Sequence, residues 1–436
     1  MKKPVILFLV LFLSAPAFGA ADWADKLELG GSTQLRWYKL NNMWDCNDDT
    51  DNDNWETFRL HTKLNAKATI SDDISGFIQI SNQTYGNGVG ETDNLGNKVF
   101  VENSYLTVKD FFGSNFIFQA GRMDLMYGSG FVLFDGNSQY ASTSLYFDGV
   151  KLTMPLGEKS TLDALYFMDE ENNRSNEPGA TGTGGDDITL GGLYLTAHCP
   201  VMGSEKGQQE VYTLNRRDEL LNKDIWMVGL RLSDKFAMGF DYSAEAAYQM
   251  GDFNEDANID QEAMGCKLDA GYTFTEVMMT PRLFCGYMFM EGDDPDTDEM
   301  ERWDVFYGGW PQFGDLLAWK YLNVPGNNIS NYDPNWNQGS TTPGEAVYSN
   351  ISMPSIGVGA NLTPQLSAKL TYGMLTVDET VAGADDDFGD YYQLQASYGY
   401  SKNLSFSVYT AMIDPGDAFK TDDKPYEVLL ETKLKF

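Results

Sequence analysis

From Trp226 to Gly251 apolar and polar residues alternate with a period of two. Trp226, Val228, Leu230 and Leu232, then Met238, Phe240, Tyr242, Ala244, Ala246, Tyr248 and Met250, hold the even positions. The odd positions carry Gly229, Arg231, Ser233, Asp241, Ser243, Glu245 and Gln249, and apart from Met227 they are small, polar or charged. Between the two runs lies only Asp234–Ala237, enough for a tight turn. A two-residue period puts one set on each face of a strand pair. The second run alternates for about fourteen residues, whereas strands in soluble sheets run about 5–6 and a tilted membrane-crossing strand needs about 9–11. Trp226 and Tyr248, near the ends of the apolar face, suit the aromatic girdles of a membrane barrel. The pattern therefore predicts a hairpin with its apolar face in lipid and its polar face on a wet lumen.

The same rhythm predicts strands over 27–40, 58–70, 76–83, 99–109, 116–123, 144–154, 162–168, 188–197 and 208–214 before this hairpin. After it come 261–274, 277–290, 351–362, 366–374, 391–400, 404–412 and 426–436. The expectation is an all-β, antiparallel up-and-down transmembrane barrel of about eighteen strands, with short turns and long extracellular loops alternating. An even count puts both termini on the periplasmic side, and a barrel of this size has a lumen too wide for side chains alone to fill. Residues 124–143, with Gly128, Gly130 and Gly136 to allow bends, either fold into that lumen or lie on the surface. Residues 291–349 form the longest loop, acidic at first and then carrying Trp303, Trp310, Trp319 and Trp336.

Ahead of the strands, Lys2 and Lys3 precede an apolar run from Pro4 to Leu13 and a small-residue region reaching Ala20. That arrangement is a secretory signal, residues 1–20, leaving 21–436 as a single barrel domain. The net charge of −34 disfavours nucleic acid as a partner. Disorder, the other reading of so high a charge, is opposed by 14% aromatic content and by the sustained alternation. Enzymatic chemistry finds no foothold: His61 and His198 are the two histidines, and no nucleophile elbow, zinc spacing or Cys/His pairing is present.

Inward parity selects candidate pore-lining residues. The strand over 58–70 places Arg59, His61, Lys63 and Lys67 on one face, with Arg36 on the strand before it. Arg122, Lys151, Arg231, Arg282 and Lys369 join them, together with the acids Asp241 and Glu245. These charges either act as a selectivity element, since fixed charge in a narrow pore enriches counter-ions, or pair across adjacent strands and stiffen the wall. Glu245 is expected to tolerate arginine with folding largely intact, whereas Tyr242→Arg on the lipid face is expected to impair insertion. No cofactor is required. Asp49, Asp51 and Asp53, and Asp293 and Asp294, offer hard oxygen ligands to Ca²⁺ without the full twelve-residue loop pattern, and diffuse cation binding between loops and lipopolysaccharide competes with that reading. Cys266 and Cys285 fall opposite each other if the turn between their strands is Thr275-Glu276, which leaves either a cross-strand disulfide or two lipid-facing thiols.

Several segments resemble the alginate-export family of outer-membrane porins. They are Gly121-Arg-Met-Asp-Leu-Met-Tyr-Gly128 with Phe147-Asp-Gly-Val-Lys-Leu152, Val228-Gly-Leu-Arg-Leu232 with Glu245-Ala-Ala-Tyr-Gln-Met-Gly251, Pro281-Arg-Leu283 with Glu291-Gly-Asp-Asp294, and the run from Gly389 to Phe436. The resemblance implies an eighteen-stranded barrel in the outer membrane of a Gram-negative bacterium, and for the family's namesake an arginine-rich lumen that exports an anionic polysaccharide. The aromatic carboxyl terminus, Phe436, resembles the signal read by the barrel-assembly machinery. Inward acids mixed with the inward bases favour a porin passing small hydrophilic solutes or ions, in contact with lipid and lipopolysaccharide. The alternatives are a dedicated exporter of an alginate-like polyanion and a plugged structural or interaction barrel.

Overall fold

The computed structural model describes residues 26–42, 48–49, 54–86, 98–135, 145–170, 187–199, 204, 206–219, 221–294, 296–309, 313–314, 316–317, 349–380, 385–419 and 422–436. The signal region, Asp51 and Asp53 lie outside them.

Eighteen strands follow in order: β1 (Leu27–Asn41), β2 (Trp55–Thr69), β3 (Ile74–Tyr85), β4 (Lys98–Val108), β5 (Ile117–Met123), β6 (Phe147–Pro155), β7 (Ser160–Glu170), β8 (Ile188–Ala197) and β9 (Gln208–Asp218). The second half runs β10 (Lys223–Lys235), β11 (Phe240–Asn254), β12 (Ile259–Thr273), β13 (Arg282–Met290), β14 (Ile351–Asn361), β15 (Leu366–Thr376), β16 (Asp387–Gly399), β17 (Leu404–Pro415) and β18 (Tyr426–Lys435). Each strand pairs antiparallel with the next, and β18 returns to pair with β1, so the sheet closes and has no free edge. Closure satisfies every ladder within the wall, the condition for a sheet to cross hydrocarbon.

The outer face carries the apolar alternation. Leu35, Phe58, Leu64, Trp226, Leu230, Tyr248, Leu268, Leu283, Leu370 and Leu430 are all exposed there, where lipid covers them in the membrane. Tyr242 is also on this face, but as the third residue of β11 it lies near the periplasmic end rather than at mid-wall. The inner face alternates with it and carries buried polar residues through the middle of the wall, among them Gln34, Arg36, Arg59, His61, Glu245 and Glu431. Between β3 and β4 the register shifts after Gln79, so that Asn103 pairs with Gln79 while Val101 pairs with Ile80. The extra residue, Glu102, is a bulge, and it turns two consecutive polar side chains, Glu102 and Asn103, toward the lumen.

Of the two readings of Cys266 and Cys285, the structure has the pair of free thiols and not the cross-strand disulfide. Cys266 pairs with Phe289 and Cys285 with Ala270, a slip of four residues from direct opposition, and both thiols are free. Four residues along a strand are about 13 Å, far beyond disulfide range. The cause is the turn. Alternation continues through Val277 and Met279, but those residues belong to an eight-residue connection, 274–281, closed by the Phe274 amide donating to the Pro281 carbonyl. Pro281 has no N–H for the ladder, so β13 starts only at Arg282.

Candidate functional site: the lumen and its folded-in loops

Most basic side chains on the inner wall face an acid one or two strands away. Arg36 (1% exposed) meets Glu431 (6%) at 2.7 Å, and the Gln34 amide donates to the same carboxylate. Lys63 meets the bulged Glu102 at 2.6 Å, and Ser81 donates a further short hydrogen bond to that carboxylate. Arg231 sits 2.5 Å from Glu210 and 3.8 Å from Glu245. Arg282 meets Asp241 at 2.5 Å and lies 5.4 Å from the Phe284 ring, with Lys369 at 4.8 Å from that ring. Arg59 donates to Gln83, and Lys67 reaches Glu28 at 3.6 Å, with both partners of this last pair exposed. Lys151 faces inward opposite Gln119 and Leu165. Cross-strand pairing at this density compensates the wall charge locally instead of building a ring of one sign. A cavity of about 470 Å³ opens along the inner wall at the β18–β1–β2–β3 seam, lined by Gln34, His61, Lys63, Gln79 and Lys433 among others.

Arg122 is the exception among the candidate lining residues. It shares its face with Phe118, Ala120, Val150 and Asp148, and the last is its bidentate partner at 2.6 and 2.7 Å. That is the outer face, next to the extracellular end of β5, and the guanidinium lies 4.6 Å from the Tyr146 ring. The residue that turns inward is Met123, 3% exposed. An apolar residue can point into the lumen here because an apolar partner waits inside.

That partner is a body built by two connections. The β5–β6 connection contributes Leu125, Phe131, Val132 and Leu133; the β13–β14 connection contributes Trp303, Val305, Phe306, Phe313, Leu316 and Leu317, all buried in one cluster. Phe131 stacks on Trp303 with centroids 5.5 Å apart. A short parallel bridge joins Leu133 to Tyr307; beside it the Phe134 amide donates to the Tyr307 carbonyl and the Gly309 amide to the Gly130 carbonyl. The wall supplies a bed of inward apolar residues on its extracellular half, including Phe147, Phe167, Leu190, Leu214, Ile225, Met227, Met288 and Met290. Gly265 makes room for Trp303, since a Cβ there would stand 3.0 Å from the indole ring. Residues 124–135 thus take the lumenal course rather than the surface one, while 136–143 lie outside the described residues.

Polar contacts fix this body to the wall. Ser129 donates to Glu245 and Tyr127 to Asp163, while Gly128 (φ +57°) turns the chain where a Cβ would press on Arg231. Glu245 also accepts from Tyr212, so it is a loop anchor at the foot of the body and not the freely variable lining residue expected from the sequence. On the same arc of wall Asp304 meets Arg216 of β9 at 3.2 Å and Lys223 of β10 at 3.8 Å. Gln249 clasps the Asp304 backbone, accepting from its amide and donating to its carbonyl. Burial pushes the Asp304 carboxyl up, but Arg216 and Lys223 outweigh it and hold the group below its ordinary value. A carboxyl depressed by folding stabilises the folded form above its unfolded pKa and loses that contribution only as pH falls through the folded value. This contact therefore persists at neutral pH and releases in acid.

Arg216, Lys223, Glu102 and Asp304 escaped the sequence reading. The predicted strand stopped at Leu214, two residues short of Arg216, and nothing in the local pattern ties Asp304 to a strand 88 residues away. Of the calcium candidates, Asp293 accepts the Glu301 amide and Asp294 the Asp296 amide, so both carboxylates serve their own loop. Among the described residues no three His, Cys, Asp or Glu side chains converge as a metal site.

A closed eighteen-stranded barrel with a lipid-facing apolar wall and a polar, loop-narrowed lumen is an outer-membrane porin in class. The family model described as alginate export matches residues 51–427, and the chain belongs to that family. No curated protein matches. Among solved structures, the fold is similar to a BenF-like porin from Pseudomonas fluorescens Pf-5, at 12% identity over 94% of this chain and 99% of that one, TM-score 0.57. OccK11 (OpdR) of Pseudomonas aeruginosa is similar at 12% identity over 94% and 96%, TM-score 0.56. The outer membrane protein OprD of the same species is similar at 11% identity over 94% of each chain, TM-score 0.55.

Proposed function

We propose that the barrel passes small hydrophilic solutes passively with little discrimination by charge. The observation that carries this reading is the cross-strand pairing of the lumenal bases, because a compensated wall leaves little net field along a pore. An exporter of an anionic polysaccharide would be served by a row of cations without acid partners; the pairs Arg36–Glu431, Lys63–Glu102, Arg231–Glu210 and Arg282–Asp241 speak against one here. The apolar body in the extracellular half favours a channel that is closed much of the time over one that stands open. Phe436 continues the ladder by exchanging amide and carbonyl bonds with Gly31 while its ring stays exposed, which suits recognition by the assembly machinery. The acidic extracellular loops suit divalent ions shared with lipopolysaccharide phosphates.

Planar-bilayer recording under a salt gradient tests the reading. Discrete steps with a reversal potential near zero are expected; a silent bilayer with folded protein would overturn it. Asp241→Ala sharpens the test. It leaves the partly exposed Arg282 as a lone cation on the wall, so the reversal potential is expected to move toward anion preference while stability changes by less than about 1 kcal/mol.

A further inference from the structure

We propose that segments 125–134 and 303–309, one from each inward connection, act as one gate, latched on Arg216 by Asp304. The inference rests on the lumen being a passage and adds how that passage is regulated. The two segments do not merely lie side by side. The bridge between Leu133 and Tyr307, the Phe134 and Gly309 amide bonds across it and the Phe131–Trp303 stack make them one packed unit. A residue cannot leave that unit alone without exposing the other segment's apolar face and stripping its backbone partners.

The latch is the charged part of the unit's attachment. Asp304 lies between Arg216 on β9 and Lys223 on β10, with Asp218 as the other carboxylate on Arg216. Its remaining acceptor capacity takes the Phe306 amide, which ties the carboxylate to the turn carrying Val305 and Phe306 into the core. When the carboxylate is removed, the partly buried Arg216, left with Asp218, and the buried Lys223 face a loop that still carries Arg302, and the loop gains free energy by leaving so that water can reach the cations. Because the segments are joined, 125–134 leaves with 303–309. Asp304 is a positioning residue: it holds the constriction in place without itself needing to touch a solute.

Backbone amide hydrogen exchange on the full-length barrel in detergent micelles tests this. In Asp304→Ala, amides of both 125–134 and 303–309 are expected to exchange about 100-fold faster, with Phe134 and Gly309 accelerating equally and the wall strands unchanged. Arg216→Met, which attacks the latch from the wall, is expected to give the same paired response. Acceleration confined to 303–309 would overturn the single gate, and unchanged exchange in both segments would overturn the latch. In bilayers the Asp304→Ala channel is expected to stay open longer than the parent. A parent that never conducts would defeat the passage reading proposed above while leaving the exchange result to decide the coupling.

Discussion

Glu431→Ala is expected to lower the unfolding free energy of the barrel by about 3–5 kcal/mol, the cost of stranding a buried charge. The carboxylate lies on β18 directly opposite Arg36 of β1, so the pair spans the seam at which the first and last strands close the ring. Its loss leaves the Arg36 guanidinium buried with the Tyr38 hydroxyl and strips the Gln34 amide of its acceptor. Urea unfolding in detergent, followed by the gel-mobility shift between folded and unfolded barrel, measures the change. The companion Arg36→Met/Glu431→Leu removes both charges together and is expected to recover most of the loss, because the penalty comes from the unpaired ion rather than from the absence of a salt bridge. A double variant as unstable as the single one would show that the seam depends on the ions themselves.

Leu230→Arg is expected to cost about 2–4 kcal/mol of folding into a bilayer, the penalty for a cation near the membrane midplane. Leu230 is 47% exposed on the outer wall, in the middle of β10, flanked by Ala246 and Val211 on the neighbouring strands. It is a sharper probe of the lipid face than Tyr242, whose place near the periplasmic end lets a long side chain reach the interface. Folding yield into vesicles of medium-chain phosphatidylcholine gives the measurement. A yield equal to the parent's would mean that this face does not meet hydrocarbon.

The wall was legible because lipid imposes a rule on every outward position. Between Trp226 and Met250 only Asp234, at the periplasmic turn, departs from the rule, and the same alternation along the chain yields the strand count and the closing pair. It says less about inward positions, because water and a folded-in loop accept different residues. Where the lumen is wet, polar residues point in, as the parity of Arg59, His61 and Lys63 indicates. Toward the outside a loop body supplies apolar partners, so Met123 and Phe147 point in and the polar Arg122 is displaced to the outer rim. The same ambiguity ran Val277 and Met279 into a strand and misplaced the two cysteines. Which acid sits beside which base depended on closure: Glu431 and Arg36 lie 395 residues apart, and only the ring brings them together.

The bridge from Leu133 to Tyr307 joins segments that spring from the β5–β6 and β13–β14 tops, eight strands apart one way around the ring and ten the other. They start almost diametrically opposite, so the joined body is a tie-rod across the bore. A hollow cylinder of this width flattens easily under sideways load, since its strands resist stretching far better than bending; a rod across one diameter removes the softest mode of that flattening. Lateral pressure in the membrane would then bear on the same few bonds that close the channel, and a barrel with its gate released would also be a barrel free to change its cross-section.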